Sequence, residues 1–487
     1  MIEQLYEAYL RSRTVTTDSR NITPGCIFFA FRGERFDGNA FAPQALEQGA
    51  ALCVVDEKWK AESGKWKDDE RIVGVPDVLA TLQALAREHR RHLTIPVIGI
   101  TGTNGKTTTK ELVHAVLAKR YRTSATKGNF NNHLGVPLTL LSIPENTEIA
   151  IVEMGANHPG EIDFLCGIAD PDCGLITNVG RAHLEGFGSF EGVIQTKTEL
   201  YRYLGVKGSE RGVKGSDSSG SREQSQTSLS FAEMKERRRS QRTMPLVFVN
   251  ADNPILTKYL PSNIHNITYG NCAETNVRGS QLSPLTSHLS PYLNFYFEVG
   301  DNVYNVHTHL LGAYNFDNCM AAVAVGLHFG VEPWDIKEAI EEYVPSNQRS
   351  EYKETTRGNR LYLDCYNANP SSMAAAITSF SSLIAHHSSP SMAIIGGMHE
   401  LGDEERKEHE RVVEQLAACH LEQVLLVGPE WDTQMLPTTH YPLPTEFLLF
   451  PDTDSVRTWL QANPVSGATI LVKGSNTNRL WTLEELL

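Results

Sequence analysis

Apolar positions along the chain fall into two alternating patterns. Short, nearly continuous apolar runs end in glycine or a polar residue and read as buried strands. They are Cys26–Phe31, Ala51–Val55, Ile95–Ile100, Ile149–Glu153, Gly174–Thr177 and Leu246–Asn250. Between them lie stretches with helical spacing. Over Asp77–Arg91 the apolar residues stand at 78, 79, 82, 85 and 86, and Asp77 is placed to cap the first turn. A second helix is predicted over Asn315–His328. Toward the C-terminus, strands at Leu361–Cys365, Met392–Gly396, Val424–Val427 and Ile470–Val472 are separated by helices at about 371–387, 403–419 and 454–462. Strands alternating with helices predict an α/β protein with mostly parallel sheets covered on both faces. The last unit reads as a small doubly wound sheet.

The chain has 487 residues. At roughly 150 residues per domain this predicts about three domains. The pattern divides at 1–92, 93–345 and 346–487. Residues 205–243 break the periodicity. They are rich in Gly and Ser, contain the near-repeat GVKGSE/GVKGSD and end in the basic run KERRRSQR. Such composition predicts a disordered surface insertion rather than a packed element.

Composition narrows the class. Apolar residues make up 40% and charged residues 21%, so global disorder is excluded. Lys and Arg number 44 against 58 Asp and Glu, a net charge of −14. That balance argues against general nucleic-acid binding, which needs a basic face, but leaves room for a local anion pocket. MIEQLYEAYLRSR lacks the basic and apolar regions of a signal peptide, and no run of about 18 apolar residues exists. Eight thinly spread cysteines, none in a C-x-x-C pair, read as reduced thiols. The expectation is a soluble cytoplasmic protein without membrane insertion, monomeric by default.

The sharpest chemistry lies in Ile98-Gly-Ile-Thr-Gly-Thr-Asn-Gly-Lys-Thr-Thr-Thr109. A strand enters, Gly102 and Gly105 allow close backbone approach, and a helix leaves with its first amides facing the turn. Lys106 is placed to reach β- and γ-phosphates and Thr107 to hold Mg²⁺. The spacing departs from G-x-x-x-x-G-K-[ST], because Ile100 stands five positions before Gly105; the motif here is G-x-x-G-K-T. The loop alone leaves kinase, ATPase motor and ATP-driven ligase open.

A second layer of polar residues follows other strands. Glu153 ends a buried strand, where it is a candidate Mg²⁺ ligand or a solvated strand end. His183, in Asn178-Val-Gly-Arg-Ala-His-Leu-Glu-Gly-Phe-Gly188, is a candidate ligand or a hydrogen-bonded ring. Lys197 lies in a helical stretch, Phe190–Leu204, and alone reads as a surface lysine. Asn315 and Asn318 share one helix face and are suited to an adenine edge or to capping and packing.

Together these pieces resemble the Mur ligase family. The resemblance rests on GTNGKTT (102–108), VEMGANHPGEI (152–162), NVGRAHLEGFGS (178–189), Lys-Thr-Glu (197–199), VNADNP (249–254) and LGAYNFDN (311–318), and spans nearly the whole chain outside 205–243. It implies an N-terminal UDP-sugar-binding domain, a central ATP-binding domain with a P-loop-type sheet, and a C-terminal Rossmann-like domain. It also implies an ADP-forming amide ligase of cytoplasmic peptidoglycan precursor synthesis. Asp364-Cys-Tyr-Asn-Ala-Asn-Pro-Ser-Ser-Met373 and Met398-His-Glu-Leu-Gly402 resemble the member that adds D-alanyl-D-alanine to UDP-N-acetylmuramoyl-tripeptide, whereas Asp18-Ser-Arg20 is shared with the ligase of the preceding step. A folylpolyglutamate-synthase-like ligase and a non-catalytic nucleotide-binding paralogue are the competing readings.

By this resemblance Gly102, Thr103, Asn104, Gly105, Lys106, Thr107 and Thr108 cradle ATP. Thr107, Glu153, His183 and a CO₂-carbamylated Lys197 serve two Mg²⁺ ions, with Lys106, His183 and Lys197 as catalytic residues. Asn315 and Asn318 lie by the adenine, and Arg349 and Asp364 by the ATP phosphate and ribose. Ser19, Arg20, Asn131 and Asn132 face the UDP-sugar. Asn367, Asn369 and Lys473 fall on the acceptor side. The insertion at 205–243 has no counterpart in the family pattern.

Overall fold

The computed structural model describes all residues except 34–35, 213–244, 283–290, 346–348, 386–388 and 438–444. Strands β1 (Val15–Thr16), β2 (Ile27–Phe29), β3 (Leu52–Asp56) and β4 (Ile72–Val75) form a parallel sheet in that order. The period of two sorts its side chains. Phe28, Cys53, Val55 and Ile72 pack on Ala42, Ala45 and Leu46, whereas Ile27, Phe29, Val54 and Val75 meet Leu82, Leu85 and Ala86. The predicted helix is found at Val78–His92, with an Asp77 carboxylate oxygen accepting from Ala80 N at 2.9 Å. This helix also packs on helices of the next unit. Buried Arg90 ties the two units by an ion pair with Asp172 at 2.8 Å and donates to the carbonyls of Ala169 and Asp170.

The central sheet has nine strands: β5 (Val97–Thr101), β6 (Thr123–Ala125), β7 (Ile149–Glu153), β8 (Cys173–Ile176), β9 (Leu246–Asn250), β10 (His265–Gly270), β11 (Val277–Gln281), β12 (Tyr292–Val299) and β13 (Asn302–Leu311). Their order is β13-β12-β11-β10-β9-β8-β5-β7-β6. Strands β5 to β11 run parallel, and β11, β12 and β13 are antiparallel. β5 lies between β7 and β8, so the loop after it opens between two other strand ends. Every residue of β5 and β7 is buried, which explains why both read as continuous apolar runs.

The hydrophobic pattern did not predict β6 or β10 to β13. The hairpin β12–β13 alternates buried and part-exposed residues and carries Asn, His and Thr, so it lacks the runs that mark a two-sided strand. Two further expectations need correction. The stretch Phe190–Leu204 is two helices, Phe190–Lys197 and Glu199–Gly212, meeting at Thr198. Residues 205–212 continue the second helix rather than starting a disordered insertion, and 213–243 lie outside the described residues.

The third sheet holds β14 (Glu351–Glu354), β15 (Arg360–Asp364), β16 (Ser391–Gly396), β17 (Gln423–Val427), β18 (Glu446–Phe450) and β19 (Thr469–Lys473), ordered β14-β15-β19-β16-β17-β18. β14 pairs antiparallel with β15, and all other neighbours are parallel. Helices at Pro370–Ile384, Glu405–Ala418 and Thr453–Ala462 connect them, close to expectation. The two strands missed, β14 and β18, sit at the sheet edges. With one side unpaired, neither is buried enough to need an apolar run. The architecture is thus three-domain α/β, with a central mostly parallel sheet and a doubly wound C-terminal one. Among the described residues no helix is long and apolar enough to cross a membrane.

Candidate active site

The loop after β5 has the shape its glycines require. Gly102 adopts φ +141°, and a Cβ there would lie 2.0 Å from Thr177 Oγ1; Gly105 adopts φ +76°, with Asn318 Oδ1 2.4 Å from a Cβ position. Asn178, at the end of β8, accepts from Thr103 N through its carbonyl and from Asn104 N through Oδ1, both at 3.0 Å. Thr177 Oγ1 donates to Asn104 O at 2.6 Å. The helix Lys106–Ala118 then starts with its unpaired first amides at the turn. Lys106 arches back so that Nζ donates to the carbonyls of Gly102 and Thr103, each at 2.9 Å. Burial pulls its ammonium below the ordinary lysine range; Glu153 opposes that shift and Arg349 adds to it.

Glu153 stands opposite Ile100 in the β5–β7 register, beside the entrance of the loop. It is 1% exposed. Its Oε1 accepts from Asn131 Nδ2 at 2.8 Å and Thr107 Oγ1 at 3.3 Å, while its buried Oε2 has no partner. A buried carboxylate oxygen without a donor is costly unless a cation completes it. An oxygen set of one carboxylate and one hydroxyl suits Mg²⁺, which keeps waters and takes phosphate oxygens from a substrate. Among the described residues no group of three or more His, Cys, Asp or Glu is placed to hold a metal.

Lys197 is not a surface residue. It is 2% exposed, its Nζ donates to Ala156 O at 3.1 Å, and the ammonium stands 5.2 Å from the Phe187 ring centre. Burial, with repulsion from Lys106, holds its pKa well below the usual lysine range. Phe187 also meets the His183 ring edge-on, with ring centres 6.3 Å apart. Burial lowers the His183 pKa, partly offset by Glu400, and Lys106 and Lys197 lower it further. Lys106, Glu153, His183 and Lys197, carried by separate elements, therefore lie close together.

The C-terminal unit closes one side. Asn104 and Asn369 exchange two amide hydrogen bonds, at 2.7 and 3.3 Å. Arg181 N donates to Ser371 Oγ at 2.7 Å, and the Arg181 guanidinium pairs with Glu404 and buried Glu408 at 3.2 and 2.9 Å. Asn369 also caps the helix Pro370–Ile384 by accepting from Ser372 N at 2.9 Å. The Arg349 guanidinium stacks 3.7 Å from the Tyr366 ring centre. Asp364 pairs at 2.9 Å with Lys473, whose buried Nζ also donates to Asn367 O at 2.5 Å. Lys473 thus braces the 364–367 turn from beneath, while Asn367 itself is exposed.

Other residues singled out in the sequence make local contacts. Arg20 forms a two-pronged pair with Asp18 on the surface, next to Ser19. Asn132 Oδ1 accepts from Leu134 N and Gly135 N at the start of a short helix. The amides of Asn315 and Asn318 are turned inward: Asn318 Oδ1 accepts from Thr109 Oγ1 at 2.9 Å, Asn318 Nδ2 donates to Asn315 Oδ1 at 2.8 Å, and Asn315 Nδ2 donates to Leu311 O at 2.7 Å. Of the two uses open for this pair, the contacts are those of packing under the loop. Sequence reasoning did not assign Thr177, Asn178, Arg181, Phe187 or Glu400. All five lie within or beside quoted motifs, but nothing in their spacing shows which loop they meet.

Asp317, in the first turn of the same helix, has its carboxyl pKa raised to about 6 by burial, with Asn250 lowering it and Asp252 raising it. A raised carboxyl pKa means the folded state holds a proton that the unfolded state has lost. Its contribution to stability is therefore present below about pH 4 and falls as pH rises toward 6. Asp317→Asn should raise Tm at pH 8 and lose that gain by pH 4; a gain that does not change with pH would refute this linkage.

Residues 100–241 match the Mur ligase middle domain, 348–476 the Mur ligase glutamate ligase domain, and 12–90 the Mur ligase family catalytic domain. The UDP-N-acetylmuramoyl-tripeptide–D-alanyl-D-alanine ligase of Bacillus subtilis is 34% identical over 414 residues, 85% of this chain and 79% of that protein. The Escherichia coli protein of the same name is 30% identical, over 88% of this chain and 84% of its own. Among solved structures, MurF from Acinetobacter baumannii superposes with a TM-score of 0.76 at 26% identity, covering 97% of this chain and 92% of that one. MurF from Thermotoga maritima in complex with ADP gives 0.75 at 25%, covering 98% and 97%. Two of these relatives thus match in sequence and two in fold over more than three quarters of both partners, and the chain belongs to the Mur ligase family.

Proposed function

We propose that this protein joins D-alanyl-D-alanine to UDP-N-acetylmuramoyl-tripeptide. Family membership makes it an ATP- and Mg²⁺-dependent acid–amino acid ligase that forms ADP in peptidoglycan precursor synthesis. One observation carries the choice of substrates: the similarity to UDP-N-acetylmuramoyl-tripeptide–D-alanyl-D-alanine ligases reaches 96% and 97% of this chain, so it takes in the C-terminal unit as well as the nucleotide loop. The cytoplasm, where such nucleotide-linked precursors and ATP are found together, is the compartment this reading requires. We place the domain divisions at 92/93 and 345/346; the end of the helix Val78–His92 and the start of β14 at Glu351 support that reading.

The chemistry follows from the charges. A peptide carboxylate is a poor acyl donor, because oxide is a bad leaving group; transfer of the γ-phosphoryl group gives an acyl phosphate, from which phosphate leaves readily. Carboxylate and γ-phosphate repel each other. Lys106 faces that charge, and the first amides after Gly105 cradle the phosphates. Thr107, Glu153, His183 and a carbamylated Lys197 would hold Mg²⁺, which supplies charge neutralisation of the phosphates. Burial and the Lys106 charge favour Lys197 as the neutral amine, the form that adds CO₂ to become an anion. The dipeptide amine then attacks the acyl carbon through a tetrahedral oxyanion, and phosphate departs.

Arg349 and Asp364 would contact the ATP phosphate and ribose from the C-terminal side, and Asn315 and Asn318 support the loop beneath the adenine. Ser19, Arg20, Asn131 and Asn132 would face the UDP-sugar, and Asn367 and Asn369 the acceptor. Contacts between Asn104 and Asn369 and between Arg181 and Glu408 seat the C-terminal unit over the loop and keep water from the acyl phosphate. The test is a substrate-pair assay read by product mass. Phosphate release should require both UDP-N-acetylmuramoyl-tripeptide and D-alanyl-D-alanine and yield the pentapeptide. Release with folate and glutamate, or none with any pair, would overturn the reading.

A further inference from the structure

Two residues near the site adopt the left-handed backbone region although neither is glycine: His183 at φ 49° and Glu400 at φ 60°. Such conformations are strained for a residue with a side chain and persist where surrounding structure imposes them. These two residues touch. His183 Nδ1 and a Glu400 carboxylate oxygen form an ion pair across the boundary between the central and C-terminal sheets.

The loop carrying Glu400 is clamped at several points. Met398 N donates to the Nε2 of His409 at 3.0 Å, and His409 Nδ1 lies 2.7 Å from Glu405 O, so that buried ring is neutral and fully used. His399 is held between Thr477 at 3.0 Å and Glu430 at 3.3 Å. On the central side, Glu185 N donates to Glu400 O at 3.2 Å. Glu400 itself is half exposed, at 53%, and packing gives no reason for its charge.

We infer that Glu400 is a positioning residue for His183. A carboxylate on Nδ1 fixes the imidazole tautomer with its proton on that nitrogen, leaving the Nε2 lone pair for a cation. Because the carboxylate comes from the C-terminal unit, the histidine is oriented only when that unit is seated on the nucleotide loop. Cation affinity and domain seating are then coupled, since each favours the other. This inference rests on the proposed role of His183 as an Mg²⁺ ligand.

The test uses the full chain with ADP and Mn²⁺ as the probe, titrated by electron paramagnetic resonance of free Mn²⁺. Glu400→Ala should weaken the ADP-dependent Mn²⁺ site about tenfold, the effect typical of removing an outer partner of a metal-bound histidine. Glu400→Gln, whose amide oxygen still accepts from Nδ1–H, should keep most of the affinity. In a His183→Ala background, Glu400→Ala should have no further effect. Side-chain ¹⁵N shifts of His183 should show a tautomer mixture in Glu400→Ala and one tautomer in the unaltered protein. Full Mn²⁺ affinity in Glu400→Ala, with His183→Ala weakened, would overturn this proposal and leave the metal role of His183 standing. Full affinity in His183→Ala would overturn that metal role itself. Additive losses in the double variant would mean that the two residues act separately, against the proposal.

Discussion

Replacing Lys106 with alanine should lower amide-bond synthesis about 10³-fold, a loss of ~4 kcal/mol of transition-state stabilisation. The ammonium is the cation that the loop itself supplies, held by the carbonyls of Gly102 and Thr103. Its charge opposes the repulsion between γ-phosphate and the incoming carboxylate, which is greatest as the phosphoryl group moves. The loss should appear in kcat. Binding of the UDP-linked substrate, measured by calorimetry without ATP, should be unchanged, because the residues proposed for that contact, Ser19, Arg20, Asn131 and Asn132, lie outside the loop. Lys106→Arg keeps the charge but not the shape. Its planar fork does not fit between two carbonyls that a compact ammonium bridges, so it should recover only part of the rate. Full-speed synthesis by Lys106→Ala would remove the basis for every role assigned to the loop.

Activity should also depend on dissolved CO₂. Lys197 lies buried beside a second lysine, an environment that favours the uncharged amine. Nitrogen attack on CO₂ forms a C–N bond, releases one proton and turns a potential cation into a carboxylate-like anion. The exchange replaces repulsion with attraction toward Lys106 and toward Mg²⁺. Enzyme held in CO₂-free buffer should lose most of its activity and regain it on addition of bicarbonate, with intact mass rising by one CO₂. Lys197→Ala should be about 10²-fold slower and indifferent to bicarbonate. An unchanged rate in CO₂-free buffer, with no mass adduct on the active protein, would refute carbamylation.

The two lysines differ in how visible they are from the chain alone. Lys106 sits in a motif whose chemistry is local: strand, glycines, lysine and helix start within twelve residues, so spacing alone indicates a phosphate. Lys197 carries no such signal. Its neighbours in sequence form an ordinary helix, and its neighbours in space, Phe187 and Ala156, come from other segments. The family resemblance singled it out; the bare pattern read it as solvated. Lys473, placed on the acceptor side by resemblance, is buried under the turn that carries Asn367.

Local sequence determined the strands buried on two sides, the helix starts set by Asp77 and Asn369, and the turn made possible by Gly102 and Gly105. Each depends on forces acting within a few residues: apolar runs, side-chain caps and permitted backbone angles. Tertiary structure alone decided which strands alternate at an edge and so lack a run, and whether the amides of Asn315 and Asn318 face outward or in. It also brought Glu400 to His183 across more than two hundred residues. Charge and burial at a site are sums over everything nearby in space, and distance along the chain carries little information about that sum.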